Sequence, residues 1–260
     1  MPRPAGMTLP RYAAAVLVDR ATNLRPVARA RERLAARNAA EVAFAGGLPV
    51  PPADLRVLVS GPDADWFLDP DAAGVTKLRA VLGERLRGSV LDFGCGCGRA
   101  LRHFEDDGLD LHGCDYNPRL VEWCQANLPF ADVRVNGAEP PAPYDDDRFD
   151  VLYAISIFTH LTTPMVRAWL DEWRRIVKPG GLIAFSTHGD HYRGLLGRRD
   201  GALYDRRQPV VVKPRIEGLN ACSAHHPPEW VRTDLLEGME LVAFEPGAPP
   251  FPQDLYVVRA

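Results

Sequence analysis

A short apolar run, Ser89 to Phe93 (SVLDF), leads straight into Asp92-Phe93-Gly94-Cys95-Gly96-Cys97-Gly98, and a stretch of helical character from Ala100 to Asp106 follows. Strand, glycine turn and helix in that order form the opening unit of an α/β fold, whose ligands sit at the carboxyl ends of the strands. Glycine recurs where the backbone needs positive φ or where a ligand must approach the main chain closely. A dinucleotide loop reads G-x-G-x-x-G and would need a glycine where Arg99 stands. Gly94, Gly96 and Gly98 instead make a tighter G-x-G-x-G loop, better shaped for a small uncharged adenosyl group than for a pyrophosphate.

After this loop, strand-like and helical runs alternate. The strands expected are Leu111 to Cys114, Val133 to Val135, Val151 to Ile155, Leu182 to Ser186, Leu241 to Phe244 and Leu255 to Val258, and the helices are Arg119 to Asn127 and Met165 to Val177. Such alternation predicts a doubly wound α/β fold, with a mostly parallel, Rossmann-like sheet of seven strands counting Ser89 to Phe93. Ahead of it, Arg11 to Gly46 reads as two helices or one helix kinked at Pro26, and Gly46-Gly47 with Pro49, Pro51 and Pro52 marks a junction. Asp54 to Leu86 reads as further helix, broken around Gly61-Pro62, with Asp71 capping the stretch that ends near Leu82. The domain reading is therefore an N-terminal helical cap over 1–87 packed on a ligand-binding domain over 88–260. Within the latter, 190–230 departs from the alternation and is expected to cap the carboxyl edge of the sheet, with a hairpin arm from Gln208 to Ile216.

Composition narrows the partners. The 31 basic and 34 acidic residues leave a formal charge of −3, which lacks the footprint of a dedicated nucleic-acid binder. The cluster Arg25, Arg29, Arg31, Arg33 and Arg37 reads as the solvated face of a helix. No apolar run reaches the roughly 18 residues that cross a bilayer, and Tyr12 to Val18 is too weak for a signal peptide, so a cytoplasmic protein without a membrane partner is expected. Five cysteines, Cys95, Cys97, Cys114, Cys124 and Cys222, lack C-x-x-C spacing, which argues for reduced thiols over disulfides or a zinc ribbon.

Asp115 ends the second strand about 20 residues beyond Gly94, the first glycine of the loop, the separation at which a carboxylate accepts hydrogen bonds from ribose hydroxyls. Together, loop and carboxylate point to an adenosine-containing cofactor. The segments VLDFGCGCGRALRHF, HGCDYNPRLVEWCQANL, RFDVLYAISIFTHL and RRIVKPGGLIAFSTHG, which begin at Val90, His112, Arg148 and Arg174, resemble in content and order the class I S-adenosylmethionine-dependent methyltransferases. Their flavour is nearest to the small-molecule enzymes of that superfamily. The resemblance implies S-adenosyl-L-methionine as cofactor, with Asp92 and the loop Gly94, Cys95, Gly96, Gly98 around its methionine part, Asp115 on the ribose and Tyr116 against the adenine. It also implies Asn136, Gly137 and Ala138 near the adenine amino group, where the family usually has an acidic residue and this chain has Asn136 and, displaced, Glu139. Ala154 and Ser156 would line the sulfonium side, and Pro179-Gly180-Gly181 would turn into the fifth strand.

Methyl transfer from a sulfonium is an in-line displacement that needs alignment above all, and a base chiefly for a hydroxyl or protonated amine. His160, in SIFTH after the fourth strand, and His188, in STHGDHY after the fifth, are the candidate catalytic bases, because an imidazole titrates near neutral pH. Either also reads as a histidine that caps backbone groups at a strand end. Asp190, His191, Cys222, His225 and His226 add metal-ligand types without metal-site spacing, so no metal is expected. Asp145 to Asp147 reads as a solvated turn, and Trp66-Phe67 as core or as a wall of the cofactor site. The function implied is methyl transfer to an O or N atom of a small molecule, such as a secondary metabolite. The alternatives are an RNA or protein methyltransferase and a cofactor-binding protein without transfer activity. Ile155-Ser156-Ile157-Phe158, where an N-P-P-Y-type tetrapeptide would stand, and the acidic charge weigh against nucleobases.

Overall fold

The computed structural model describes residues 47–260, so the helices expected over 11–46 and their arginine cluster lie outside the described residues. The described chain opens with three short helices, α1 (Ala53–Val59), α2 (Ala64–Leu68) and α3 (Val75–Leu82). Asp63 caps α2 by accepting from the Trp66 amide at 2.7 Å. The cap expected at Asp71 is not there. Asp71 instead donates its amide to the Asp69 carboxylate at 2.9 Å, and α3 starts after Gly74, whose φ of 75° closes the intervening turn.

The sheet follows: β1 (Ser89–Phe93), β2 (Asp110–Asp115), α4 (Pro118–Asn127), β3 (Ala131–Val135), β4 (Phe149–Ala154), α5 (Thr163–Ile176) and β5 (Val177–Thr187). After α6 (Arg198–Tyr204), β6 (Val210–Val212) and β7 (Ser223–His225), the chain returns to the main sheet as β8 (Leu241–Glu245) and β9 (Asp254–Arg259). The seven main strands lie in the order β3-β2-β1-β4-β5-β9-β8. Pairing is parallel from β3 to β5, while β9 runs antiparallel to both β5 and β8. This is the expected doubly wound, mostly parallel architecture. Every residue of β1 is buried, Ser89 and Asp92 included, as its position as a central parallel strand covered on both faces requires.

Two local expectations fail for identifiable reasons. Ala100 to Asp106 does not make an α-helix; it supplies a short 3₁₀ turn over Leu101–Phe104 between Gly98 and Gly108, both at positive φ. Leu101 and Phe104, three residues apart, both bury fully, which suits the threefold repeat of that turn. The hairpin arm expected from Gln208 to Ile216 is cut short to β6. Lys213 adopts φ 56° ahead of Pro214, which ends β6, and the antiparallel partner is β7, with Val210 opposite His225.

Helices pack on both sheet faces. On one side α5 buries Val166, Trp169, Leu170, Trp173 and Ile176, spaced three or four apart, against Phe93, Leu152 and Phe185. On the other, α3 and α4 cover Val90, Leu111 and Val151 with Leu78, Leu82 and Val121. Trp173 lies at the centre of the first layer, stacked on Phe158 with centroids 4.6 Å apart and met edge-on by Phe93 at 5.1 Å. Trp173→Ala is expected to cost about 3–5 kcal/mol through the cavity it leaves. The volume-sparing Trp173→Phe is expected to cost under about 1.5 kcal/mol. Urea midpoints measure both, and equal losses would contradict the packing account.

Candidate active site

Gly94, Gly96 and Gly98 all lie at positive φ, between 56° and 76°. The loop is held to the neighbouring strand because the Gly94 and Cys95 amides both donate to the Cys114 carbonyl, at 2.8 and 3.0 Å. A Cβ on Gly94 would collide with Ile157, and one on Gly96 would come within 2.6 Å of Val59 in α1. Asp115 fastens the loop from the side. Its carboxylate accepts from the Gly96 amide at 3.0 Å and from the Asn117 amide at 2.8 Å. Burial pushes the Asp115 carboxyl up to about 6, against those two hydrogen bonds. Asp92 is buried too and is pushed up to about 8, chiefly by loss of water; the Tyr153 hydroxyl beside it opposes the shift and Asp115 adds to it.

The donor set fits an adenosyl sulfonium carrying an amino acid. Asp92 Oδ2 lacks a well-directed hydrogen bond and suits a cation. Each Asp115 oxygen keeps a lone pair for a hydroxyl donor. Asn136, whose amide nitrogen donates to Gly137 O at 2.6 Å, leaves its buried Oδ1 without a partner, which suits an amino-group donor. Tyr116, Gly137 and Ala138 are partly buried around it, and Ala154 is fully buried at the end of β4.

Beyond β4 the chain turns sharply at Ser156, with φ 61°, a cost that persists only where neighbours hold it. Here they do so in a closed circuit. Ser156 N donates to Ser186 Oγ (2.8 Å), Ser186 Oγ to Gln253 Oε1 (2.7 Å) and Gln253 Nε2 to Ser156 Oγ (2.7 Å). Thr159 Oγ1 adds a bond to the Ser156 carbonyl at 2.8 Å. Next to this circuit His160 sets its Nδ1 2.7 Å from the Cys222 carbonyl. Only a protonated nitrogen pairs with a carbonyl, so Nδ1 carries the hydrogen and Nε2 keeps its lone pair. Burial holds the His160 imidazole below its usual range, hence neutral at pH 7.

The segment 217–222 closes over this corner. The Gly218 amide donates to His160 O at 2.9 Å, the Tyr116 hydroxyl to Gly218 O at 3.4 Å, and Asn220 Nδ2 to Leu58 O of α1 at 3.0 Å. A cavity of about 350 Å³ lies beneath, lined among others by Trp66, Arg99, Ser156, His160, Tyr192 and Gln253.

The residues singled out in the sequence thus fall into two groups. Asp92, the glycine loop, Asp115, Tyr116 and Asn136 to Ala138 gather at the ends of β1, β2 and β3, while Ser156 and His160 meet at the end of β4. His188 sits apart from the latter cavity, with its ring 4.1 Å from Tyr192 and 5.3 Å from His225. Burial, with the neighbouring histidines, lowers it to about 3. His191 and Asp190 line a separate cavity of about 480 Å³ with Tyr204 and Asp254. Among the described residues no group of three His, Cys, Asp or Glu side chains is placed to hold a metal ion, and no helix is long and apolar enough to cross a membrane. Phe67 is core, whereas Trp66 is half exposed and faces the cavity. Gln253 and Asn220 escaped the sequence reading: neither lies in a motif, and only the reversed direction of β9 carries Gln253 to this edge.

Residues 91–185 match the family model described as a methyltransferase domain. The chain is 33% identical over 110 residues to a malonyl-[acyl-carrier protein] O-methyltransferase of Pseudescherichia vulneris, covering 42% of this chain and 43% of that one. It is 25% identical over 140 residues to a tRNA N(3)-methylcytidine methyltransferase of Drosophila melanogaster, covering 49% of this chain and 42% of the relative. The chain therefore spans less than half the length of these two curated relatives. A crystal structure of a S-adenosylmethionine dependent methyltransferase from Mesorhizobium loti shares the fold at a TM-score of 0.53 and 17% identity, covering 73% of this chain and 98% of that one. With the loop, the strand order and the family match in agreement, residues 91–185 form a methyltransferase domain of the class I S-adenosylmethionine-dependent superfamily.

Proposed function

We propose that this protein methylates an oxygen or nitrogen atom of a small molecule, with S-adenosylmethionine as donor, and that it works in the cytoplasm, where its five buried thiols stay reduced. One observation carries the reading: the cavity at the end of β4 holds a neutral imidazole with Nε2 unprotonated, under a cover formed by α1 and segment 217–222. A pocket of this size suits a metabolite. In this reading residues 1–87 and the insertion 190–230 act as caps around the acceptor, and the sheet carries the cofactor.

When bound, S-adenosylmethionine supplies a methyl group on a sulfonium that leaves as a neutral thioether. Asp92 would hold the amino-acid end, Asp115 the ribose and Asn136 the adenine edge. His160 Nε2 takes the proton from an acceptor hydroxyl or ammonium, and its bond to Cys222 O keeps the ring turned to receive it. The Ser156–Ser186–Gln253 circuit fixes the wall against which the acceptor is aligned.

The tRNA relative supports a second reading, an RNA acceptor. It requires a basic groove, whereas the chain carries −3 overall and, among the described residues, Arg99 is the one formally charged residue lining this cavity.

Calorimetry with S-adenosylhomocysteine is expected to detect binding by the wild type and at least tenfold weaker binding by Asp115→Ala; a wild type that does not bind contradicts the cofactor site. The pH dependence has a fixed sign. Asp92, at about 8 in the free protein, is mostly protonated at pH 7, and a cationic ligand favours its ionised form. Binding should therefore release a proton, and affinity should rise from pH 6 to pH 8 and flatten in Asp92→Asn. For the base, labelled methyl transfer to a panel of small hydroxyl and amine compounds, with total tRNA as comparison, is expected to fall about 10²–10⁴-fold in His160→Gln for a hydroxyl acceptor. Methylation of tRNA alone would replace the metabolite reading.

A further inference from the structure

Arg99 follows the glycine loop, and its guanidinium is buried further than its partners justify. Nη2 donates to the Trp66 carbonyl at 2.9 Å, the guanidinium carbon stands 5.5 Å from the Trp66 ring, and Nε is buried without a hydrogen-bond partner. Among the described residues no carboxylate lies within ion-pair distance of it; Asp69 acts on it only through space. Loss of water outweighs that influence and lowers its pKa to about 10, so the group stays charged but poorly compensated.

An incompletely paired, partly desolvated cation beside a cavity has a specific meaning: the compensating anion is a ligand. The rest of the lining sharpens it. Among the described residues no aspartate or glutamate faces the cavity, Trp66, Phe251 and two prolines give it apolar walls, and Ser156 and His160 stand on it as hydrogen-bonding groups. A bound sulfonium would add a second positive charge nearby, which further disfavours a cationic acceptor.

We propose that the methyl acceptor is a small molecule carrying a carboxylate, and that Arg99 is the residue that selects it. The proposal rests on the cofactor reading above and names the class of acceptor for the same site. The same anion chemistry could come from the cofactor's own amino-acid carboxylate, so the test separates the two.

The protein saturated with S-adenosylhomocysteine is titrated with benzoate and with its uncharged counterpart benzamide, for the wild type, Arg99→Met and Arg99→Lys. Expected is at least tenfold tighter binding of benzoate by the wild type, loss of that preference in Arg99→Met and partial retention in Arg99→Lys. Affinities for S-adenosylhomocysteine and for 5′-methylthioadenosine, which lacks the amino-acid part, should stay within threefold. The proposal is overturned if the wild type binds benzoate no better than benzamide, or fails to bind it. It is equally overturned if Arg99→Met loses S-adenosylhomocysteine tenfold but spares 5′-methylthioadenosine, since Arg99 would then serve the cofactor. The wild-type comparison needs no variant to fold, and a wild type that does not bind S-adenosylhomocysteine fails the cofactor reading instead.

Discussion

The Cys114 carbonyl accepts two amides at once, from Gly94 and Cys95, and the next residue, Asp115, accepts a third from Gly96. These three bonds fasten a loop of positive-φ glycines to the end of a parallel strand. Loop and carboxylate cannot move independently, because each satisfies the other's buried polar groups. The cost falls on Asp92 and Asp115, two carboxyls buried close enough that Asp115 raises the pKa of Asp92. In the proposed reading these fixed polar groups, with spare hydrogen-bonding capacity, would take the cofactor's ribose and ammonium.

The acceptor side is held differently. Ser156 occupies a left-handed conformation that a serine rarely adopts, and the ring of bonds through Ser186 and Gln253 keeps it there. Those partners come from β5 and from the start of β9, so the antiparallel strand inserted beside β5 serves the site as well as the sheet. Segment 217–222 joins Tyr116 on the cofactor side to His160 on the acceptor side and to α1 above. One strap thus touches all three parts and, in the proposed reading, would tie the acceptor corner to the ribose end of the cleft.

Much of this was legible in the chain because it depends on local pattern. Apolar runs of five residues, glycines at alternate positions and an acid at a strand end are short-range signals, and they locate the sheet, the loop and Asp115. The helix read over Ala100 to Asp106 became a 3₁₀ turn over Leu101–Phe104 that buries Leu101 and Phe104 together, a threefold spacing that a search for α-helical periodicity does not separate. Gln253 and the strap were illegible because their roles come from topology. A glutamine in PFPQDLY gains its meaning only when β9 runs backwards along β5. Likewise His160 and His188 look equivalent as strand-end histidines, yet the Cys222 carbonyl, distant in sequence, orients His160 toward the cavity while His188 packs on Tyr192 and His225.

The central claim is that one cleft carries an adenosyl cofactor on Asp115 and presents its sulfur to the corner of Ser156 and His160. A crystal structure of the protein with S-adenosylhomocysteine tests it most directly. The account predicts ribose hydroxyls on the Asp115 carboxylate, the amino group toward Asp92 and the sulfur facing the cavity lined by Ser156, His160 and Arg99. Adenosine bound elsewhere, or a sulfur turned away from that cavity, would contradict it.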